Sequence, residues 1–188
     1  QMCAENTPPD VITFAGNGEP TLHPHFDRII DDTIELRNKI CPKAKVSVLS
    51  NSTRIHKPKV FNALLRVDNN ILKFDSAIDA TIRLLDQPVG KTINARWLIE
   101  NLKKFEGKLI IQTMFLRGKS GDYFIDNTTD DEVNAWLDAL AEIKPQQVMI
   151  YTLDREAPVK GLEKMNIVEL NQIAEKVKKI GFKVSVAG

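Results

Sequence analysis

Short apolar, β-branched runs alternate with longer segments whose apolar residues recur every three to four positions, and the alternation runs the length of the chain. The short runs predict strands over residues 11–15, 45–49, 70–74, 108–116, 147–152 and 182–186. The longer segments predict helices. Phe26, Ile29, Ile30 and Ile34 share a face over 24–39, and Val60, Phe61, Leu64 and Leu65 over 57–67. Ile78, Ile82 and Leu85 mark a helical turn, and Ile93, Trp97, Leu98 and Leu102 a firm helix over 92–105. Thr129-Asp-Asp-Glu132 reads as a capping box ahead of Val133, Trp136, Leu137 and Leu140. Asn166 caps a last helix to 180, with Ile167, Leu170, Ile173, Ala174 and Val177 inward. Gly107 and Gly181 suit helix ends, and the polar stretches 117–128 and 154–165 read as loops.

A repeated strand–helix order implies a mostly parallel sheet with right-handed crossovers. Loops after helices are short (40–44, 68–69, 106–107, 181), whereas loops after strands are long and polar (16–23, 50–56, 75–90, 117–128, 153–165). In parallel α/β folds the ligand site lies at the carboxyl ends of the strands, so the loop material marks that edge. Composition changes the picture little. The chain has 188 residues, 43% hydrophobic and 27% charged, enough for one domain with a sizeable core. A net charge of +1 argues against a broad nucleic-acid surface driven by charge alone. No apolar run approaches the ~20 residues of a membrane helix, and the start lacks a signal-peptide pattern. The two cysteines, Cys3 and Cys41, are expected as reduced thiols of a cytoplasmic protein. Starting at Gln1, the chain reads as a piece of a longer one.

The candidate chemistry gathers at the strand ends. The first strand stops at Gly16 and Gly18, which let backbone N–H groups approach a ligand; Glu19 adds a carboxylate, and Pro20 and Pro24 stiffen the exit. Such a turn can clamp an amino group, or be a tight connection and nothing more. The other strand ends offer Ser50 and Asn51, Lys73 and Asp75, Gln112, Thr113 and Arg117, and Tyr151, Thr152 and Arg155. Each also has an ordinary reading: turn chemistry for Ser50-Asn-Ser, a helix cap for Asp75, solvation for the arginines, packing for Tyr151. His23, His25 and His56 do not make a zinc set, and no Ser-His-Asp or Walker pattern occurs. Arg54, His56, Lys57 and Lys59 form a small basic cluster, a solvated surface or a contact for an anionic substrate.

The same turn carries a resemblance. Asn17-Gly18-Glu19-Pro20 is similar to the Gly-Gly-Glu-Pro motif of radical S-adenosylmethionine (SAM) enzymes, with Asn17 where the first Gly usually stands. The stretch from Ala15 to Pro24, Ala-Gly-Asn-Gly-Glu-Pro-Thr-Leu-His-Pro, resembles the branch that includes wyosine-type tRNA-modifying enzymes and related iron–sulfur oxidoreductases. The resemblance implies a single α/β domain over 1–188, a partial (β/α)6-type barrel with a parallel sheet and its first strand missing. The strand over 11–15 would then sit at a sheet edge or pair with another chain, inviting self-association.

It also implies SAM as cofactor. Gly16, Asn17, Gly18, Glu19 and Pro20 would hold the methionine amino group, Ser50 and Asn51 would lie near the ribose and carboxylate, and Asp75, Gln112, Arg117 and Tyr151 would add contacts. The family's activity is reductive cleavage of SAM by a 4Fe–4S cluster to a deoxyadenosyl radical, which abstracts hydrogen from a substrate. The family's cluster motif, Cys-x-x-x-Cys-x-x-Cys, is absent, so this stretch alone is expected to be inactive and no metal ligand is assigned. The implied partners are an electron donor such as flavodoxin or ferredoxin and a substrate that is a glycyl-radical enzyme, a tRNA or another macromolecule. A SAM- or nucleotide-binding module without redox chemistry, and a barrel hydrolase or aldolase using Glu19, Lys73 and Asp75, stay open beside it. Replacing Glu19 by Gln is expected to weaken SAM binding and hardly move the melting temperature.

Overall fold

A computed structural model describes residues 7–16, 18–89, 92–153 and 161–187. The chain divides into two compact units, residues 1–72 and 73–188. No helix among the described residues is long and apolar enough to cross a membrane.

The first unit is a parallel β-α-β-α-β arrangement. Strand β1 (Val11–Phe14) leads through a 3-10 turn (Pro20–Leu22) to helix α1 (Phe26–Ile40), strand β2 (Lys45–Ser50), helix α2 (Pro58–Leu64) and strand β3 (Asn69–Lys73). β2 lies between β1 and β3, with Val11 opposite Lys45 and Ser47 opposite Asn69. The crossover helices bury Phe26 and Ile30 on α1 and Val60 and Leu64 on α2, whereas Ile29, Ile34 and Phe61 of the same stripes are half-buried and Leu65, expected inward, is 38% exposed. β2 reads as a nearly continuous buried run, as a strand covered on both faces should. Among the described residues β1 is paired on one side only, with β2, which is the edge position expected for it.

The second unit continues from Lys73 through helix α3 (Asp79–Leu85), helix α4 (Ala95–Lys103), strands β4 (Ile110–Met114), β5 (Leu116–Ser120) and β6 (Tyr123–Asp126), helix α5 (Asp130–Ile143), strands β7 (Gln147–Tyr151) and β8 (Leu162–Lys164), helix α6 (Ile167–Lys179) and strand β9 (Val184–Ala187). β7 pairs in parallel with β4 on one side and β9 on the other. Trp136 of α5 is fully buried edge-on against Phe115, ring centroids 5.2 Å apart, and its Nε1–H donates to Thr113 Oγ1 at 3.1 Å.

Five expectations need correction here. The strand expected over 108–116 ends at Met114. Residues 117–128, expected as loop, contain a hairpin that pairs with β8 in a separate antiparallel sheet of order β6-β5-β8. Strands of three to five residues hide from a periodicity reading because most of their stabilisation comes from the partner strand. Gly118 permits the pairing: a Cβ there would lie 2.2 Å from the Gly161 carbonyl oxygen. The capping box at Thr129 is only half made. Thr129 Oγ1 accepts from the Glu132 N–H at 3.3 Å, but the Glu132 carboxylate turns inward to accept from Ser76 Oγ (2.6 Å) and Thr81 Oγ1. The box at Asn166 and Glu169 is complete, although Ile167, expected inward, is 49% exposed. Cys41, expected as a thiol, is disulfide-bonded, and Cys3 lies outside the described residues.

Candidate functional site

The first unit builds one site around Glu19. β1 ends at Phe14, and the chain turns at Gly16 with φ of 150°, a conformation that side-chain-bearing residues rarely adopt. A Cβ placed on Gly16 or Gly18 would meet nothing within 4 Å, so the backbone here faces open space. Glu19 caps the 3-10 turn, with Pro20 as its first residue. Oε1 accepts from the Thr21 N–H (3.1 Å) and from Thr21 Oγ1 (2.5 Å), while Oε2 accepts from the Asn51 N–H at 2.6 Å. One carboxylate thus staples the turn after β1 to the end of β2. A carboxylate offers about four acceptor positions; three are filled, and the fourth, on Oε2, accepts from none of the described residues. An open depression of ≈ 470 Å³ adjoins it, lined by Phe14, Ala15, Gly16, Gly18, Glu19, Pro20, Leu22 and His23.

Ser50 and Asn51 flank this carboxylate with their own groups engaged locally. Ser50 Oγ accepts from the Ser52 N–H at 3.2 Å, and Asn51 Oδ1 accepts from Thr53 N–H (3.0 Å) and Oγ1 (2.7 Å). This is the Asx-turn chemistry read from the sequence. What Asn51 supplies to the site is its backbone N–H. Asn17 lies outside the described residues.

The second unit gathers a different set. Asp75, just past β3, has no exposed side-chain surface; its Oδ1 accepts from the Met114 N–H at 2.8 Å, and Oδ2 is ion-paired with Lys73 Nζ at 2.6 Å. Lys73 also donates to Asp86 Oδ1 at 2.8 Å. Burial pushes the Asp75 carboxyl up to about 7, against the opposing pull of Lys73. Burial alone would lower the Lys73 ammonium, but the two carboxylates raise it above its ordinary value. Burial also pushes the Tyr151 phenol at the end of β7 up, to about 12, and the Asp75 charge adds to the effect.

Gln112 sits mid-β4, where its carbonyl accepts from the Phe74 N–H at 3.0 Å. Arg117 does not join Asp75 and Tyr151. It pairs with Glu169 on α6, and Asp126 and Glu163 are the further acids beside it. Two residues that sequence reasoning missed organise this region. Asn127 is buried, donates through Nδ2 to the Asp75 and Met114 carbonyls (2.9 and 2.8 Å), and accepts at Oδ1 from the Leu116 N–H (2.9 Å). Asp86, the second carboxylate on Lys73, follows it by thirteen residues, and no local pattern could connect them. Among the described residues no group of three or more His, Cys, Asp or Glu could hold a metal ion.

The fold is that of radical SAM enzymes. The chain superposes on a domain of pyruvate-formate lyase-activating enzyme from Bacteroides vulgatus with a TM-score of 0.63 at 13% identity, covering 94% of this chain and 98% of that one. A radical SAM methyltransferase from Sphaerobacter thermophilus gives 0.68 at 13% identity, covering 95% and 50%. SuiB from Streptococcus suis, solved bound to SAM, gives 0.68 at 14% over 95% and 39%; solved bound to precursor peptide SuiA, it gives 0.71 at 14% over 99% and 40%. At such identity the likeness is one of fold.

In sequence, the chain is 32% identical over 164 residues to a "UPF0026 protein" of Helicobacter pylori strain J99, covering 82% of this chain and 47% of that protein. It is 27% identical over 175 residues to a "GTPase Obg" of Brachyspira hyodysenteriae, covering 90% of this chain and 23% of that protein. The chain therefore spans about half the length of the Helicobacter relative. No family model matches it.

Proposed function

We propose that this chain is the SAM-holding part of a radical SAM enzyme, with the Glu19 turn of the first unit receiving the methionine end of SAM. The observation that carries the reading is the Glu19 carboxylate, pinned by three donors with one acceptor position left, beside an open depression that begins at two glycines without side chains. A cationic α-amine fits that position by charge and by hydrogen bonding, and a charge-assisted bond there is about twice as strong as a neutral one. Bound SAM supplies the hydrogen-abstracting chemistry of that family; the residues of this unit bind and orient it. The iron–sulfur cluster does not fit this chain: two cysteines cannot provide the three thiolates of the family motif. The stretch alone is accordingly expected not to turn over SAM. SuiB, solved with a precursor peptide, supports a macromolecular substrate.

Two other readings lose ground on specific residues. A Schiff-base aldolase needs a lysine that can shed its proton, and Lys73 is held protonated between two carboxylates. A GTPase reading lacks the Gly-x-x-x-x-Gly-Lys-Ser/Thr loop anywhere in the sequence. Titration calorimetry of SAM into the 188-residue chain tests the proposal. Saturable one-to-one binding is expected, and no heat of binding at millimolar SAM would refute it.

A further inference from the structure

We infer that His23 is the second half of an α-amino-acid clamp. It donates from Nε2 to the carboxylate of the ligand whose ammonium Glu19 accepts. The inference deepens the SAM reading of the same depression and rests on it.

The argument begins with the local chain. Leu22 closes the 3-10 turn, and Pro24 holds the connection into α1. The His25 backbone N–H, at the N-cap of α1, donates to His23 Nδ1 at 3.2 Å. A nitrogen that accepts carries no hydrogen, so this bond sets the neutral ring in the tautomer with hydrogen on Nε2. The His25 ring is tilted against the His23 ring, centroids 6.0 Å apart. Among the described residues nothing accepts from Nε2. His23 lines the same depression as Glu19.

That depression therefore presents an acceptor with a full negative charge and, four residues on, a donor of fixed tautomer. Its apolar wall is Phe14, Ala15, Pro20 and Leu22. An ammonium and a carboxylate on one carbon, followed by an apolar thioether or sulfonium chain, match that order of groups. A simple amine would use only the Glu19 half. The Thr21 N–H and hydroxyl and the Asn51 N–H are already spent on Glu19.

The test compares SAM with decarboxylated SAM, which keeps the sulfonium and the amine and lacks the carboxylate. Wild-type chain, His23→Ala and His23→Gln are titrated with each in a calorimeter. Wild type should prefer SAM. His23→Ala should lose about tenfold for SAM and nothing for the decarboxylated ligand, as expected when one charge-assisted hydrogen bond is removed. His23→Gln carries an N–H donor at similar reach and should recover part of the loss. A His23→Ala loss equal for both ligands would make His23 a turn residue and overturn the clamp, as would an unchanged SAM affinity. If wild type binds neither ligand, the SAM reading itself fails and the clamp with it. Wild-type binding of both with no His23 discrimination would fail the clamp alone.

Discussion

Replacing Glu19 by Gln tests the site most directly, and the structure changes what that substitution should do. Gln keeps the length of the side chain but sets one acceptor oxygen and one NH2 where the carboxylate has two oxygens. With its oxygen at Oε1 it keeps the Thr21 N–H and turns an NH2 against the Asn51 N–H, donor to donor. Flipped, it keeps Asn51 and opposes Thr21. Either way one hydrogen bond to a charged acceptor is lost, the 2.6 Å or the 3.1 Å one. Bonds to charged groups contribute about 1.5–3 kcal/mol, and partial exposure of this turn reduces that to about 1–2 kcal/mol. For a chain of this length each kcal/mol moves the melting temperature by about 2–4 °C, so a fall of roughly 2–8 °C is expected rather than none. SAM affinity should also fall tenfold or more, since the ammonium loses its counter-charge. Thr21→Val separates the two effects: it deletes the Oγ1 hydrogen bond to the carboxylate, lowers the melting temperature, keeps the charge and leaves SAM affinity in place. The assays are scanning fluorimetry and calorimetry on the three proteins. If Glu19→Gln melts and binds like wild type, the staple geometry is wrong. If it melts lower but binds SAM equally well, the carboxylate is only structural and the site assignment falls.

Further outcomes follow from other parts of the molecule. The Asp75 carboxyl is raised from its ordinary 3.8 to about 7, so the fold keeps a proton the unfolded chain has lost; that contribution is full below about pH 3.8 and disappears as pH rises through 7. Wild-type melting temperature should therefore decline between pH 4 and 7 relative to Asp75→Asn, and parallel profiles would contradict the assignment. Gly118→Ala places a Cβ 2.2 Å from the Gly161 carbonyl oxygen at a φ of 131° and should cost roughly 2 kcal/mol or more in urea denaturation; a loss below about 0.5 kcal/mol would refute the close β5–β8 approach. Anaerobic reconstitution of this chain with iron and sulfide should leave no stoichiometric cluster. Four-iron loading that survives desalting would overturn that expectation.

The alternation of short β-branched runs and helical stripes was enough to place the parallel strands and the helices that bury Ile30, Leu64, Leu102, Leu140 and Val177. Strand and helix periods are local properties, and burial of their apolar faces follows from them. The Gly16–Pro20 turn was legible for the same reason, since its glycines, acid and proline are contiguous. What the sequence could not decide is where each polar group spends its hydrogen bonds. Thr21 and the Asn51 N–H share Glu19, Asp86 shares Lys73 with Asp75, Glu132 leaves its own cap for Ser76 and Thr81, and Arg117 turns to Glu169. The antiparallel hairpin of β5 and β6 likewise takes its third strand from β8, some forty residues on. Apolar residues respond to burial on any suitable face, and their pattern shows along the chain; a hydrogen bond or an ion pair needs one particular partner, and only the folded chain brings that partner within 3 Å.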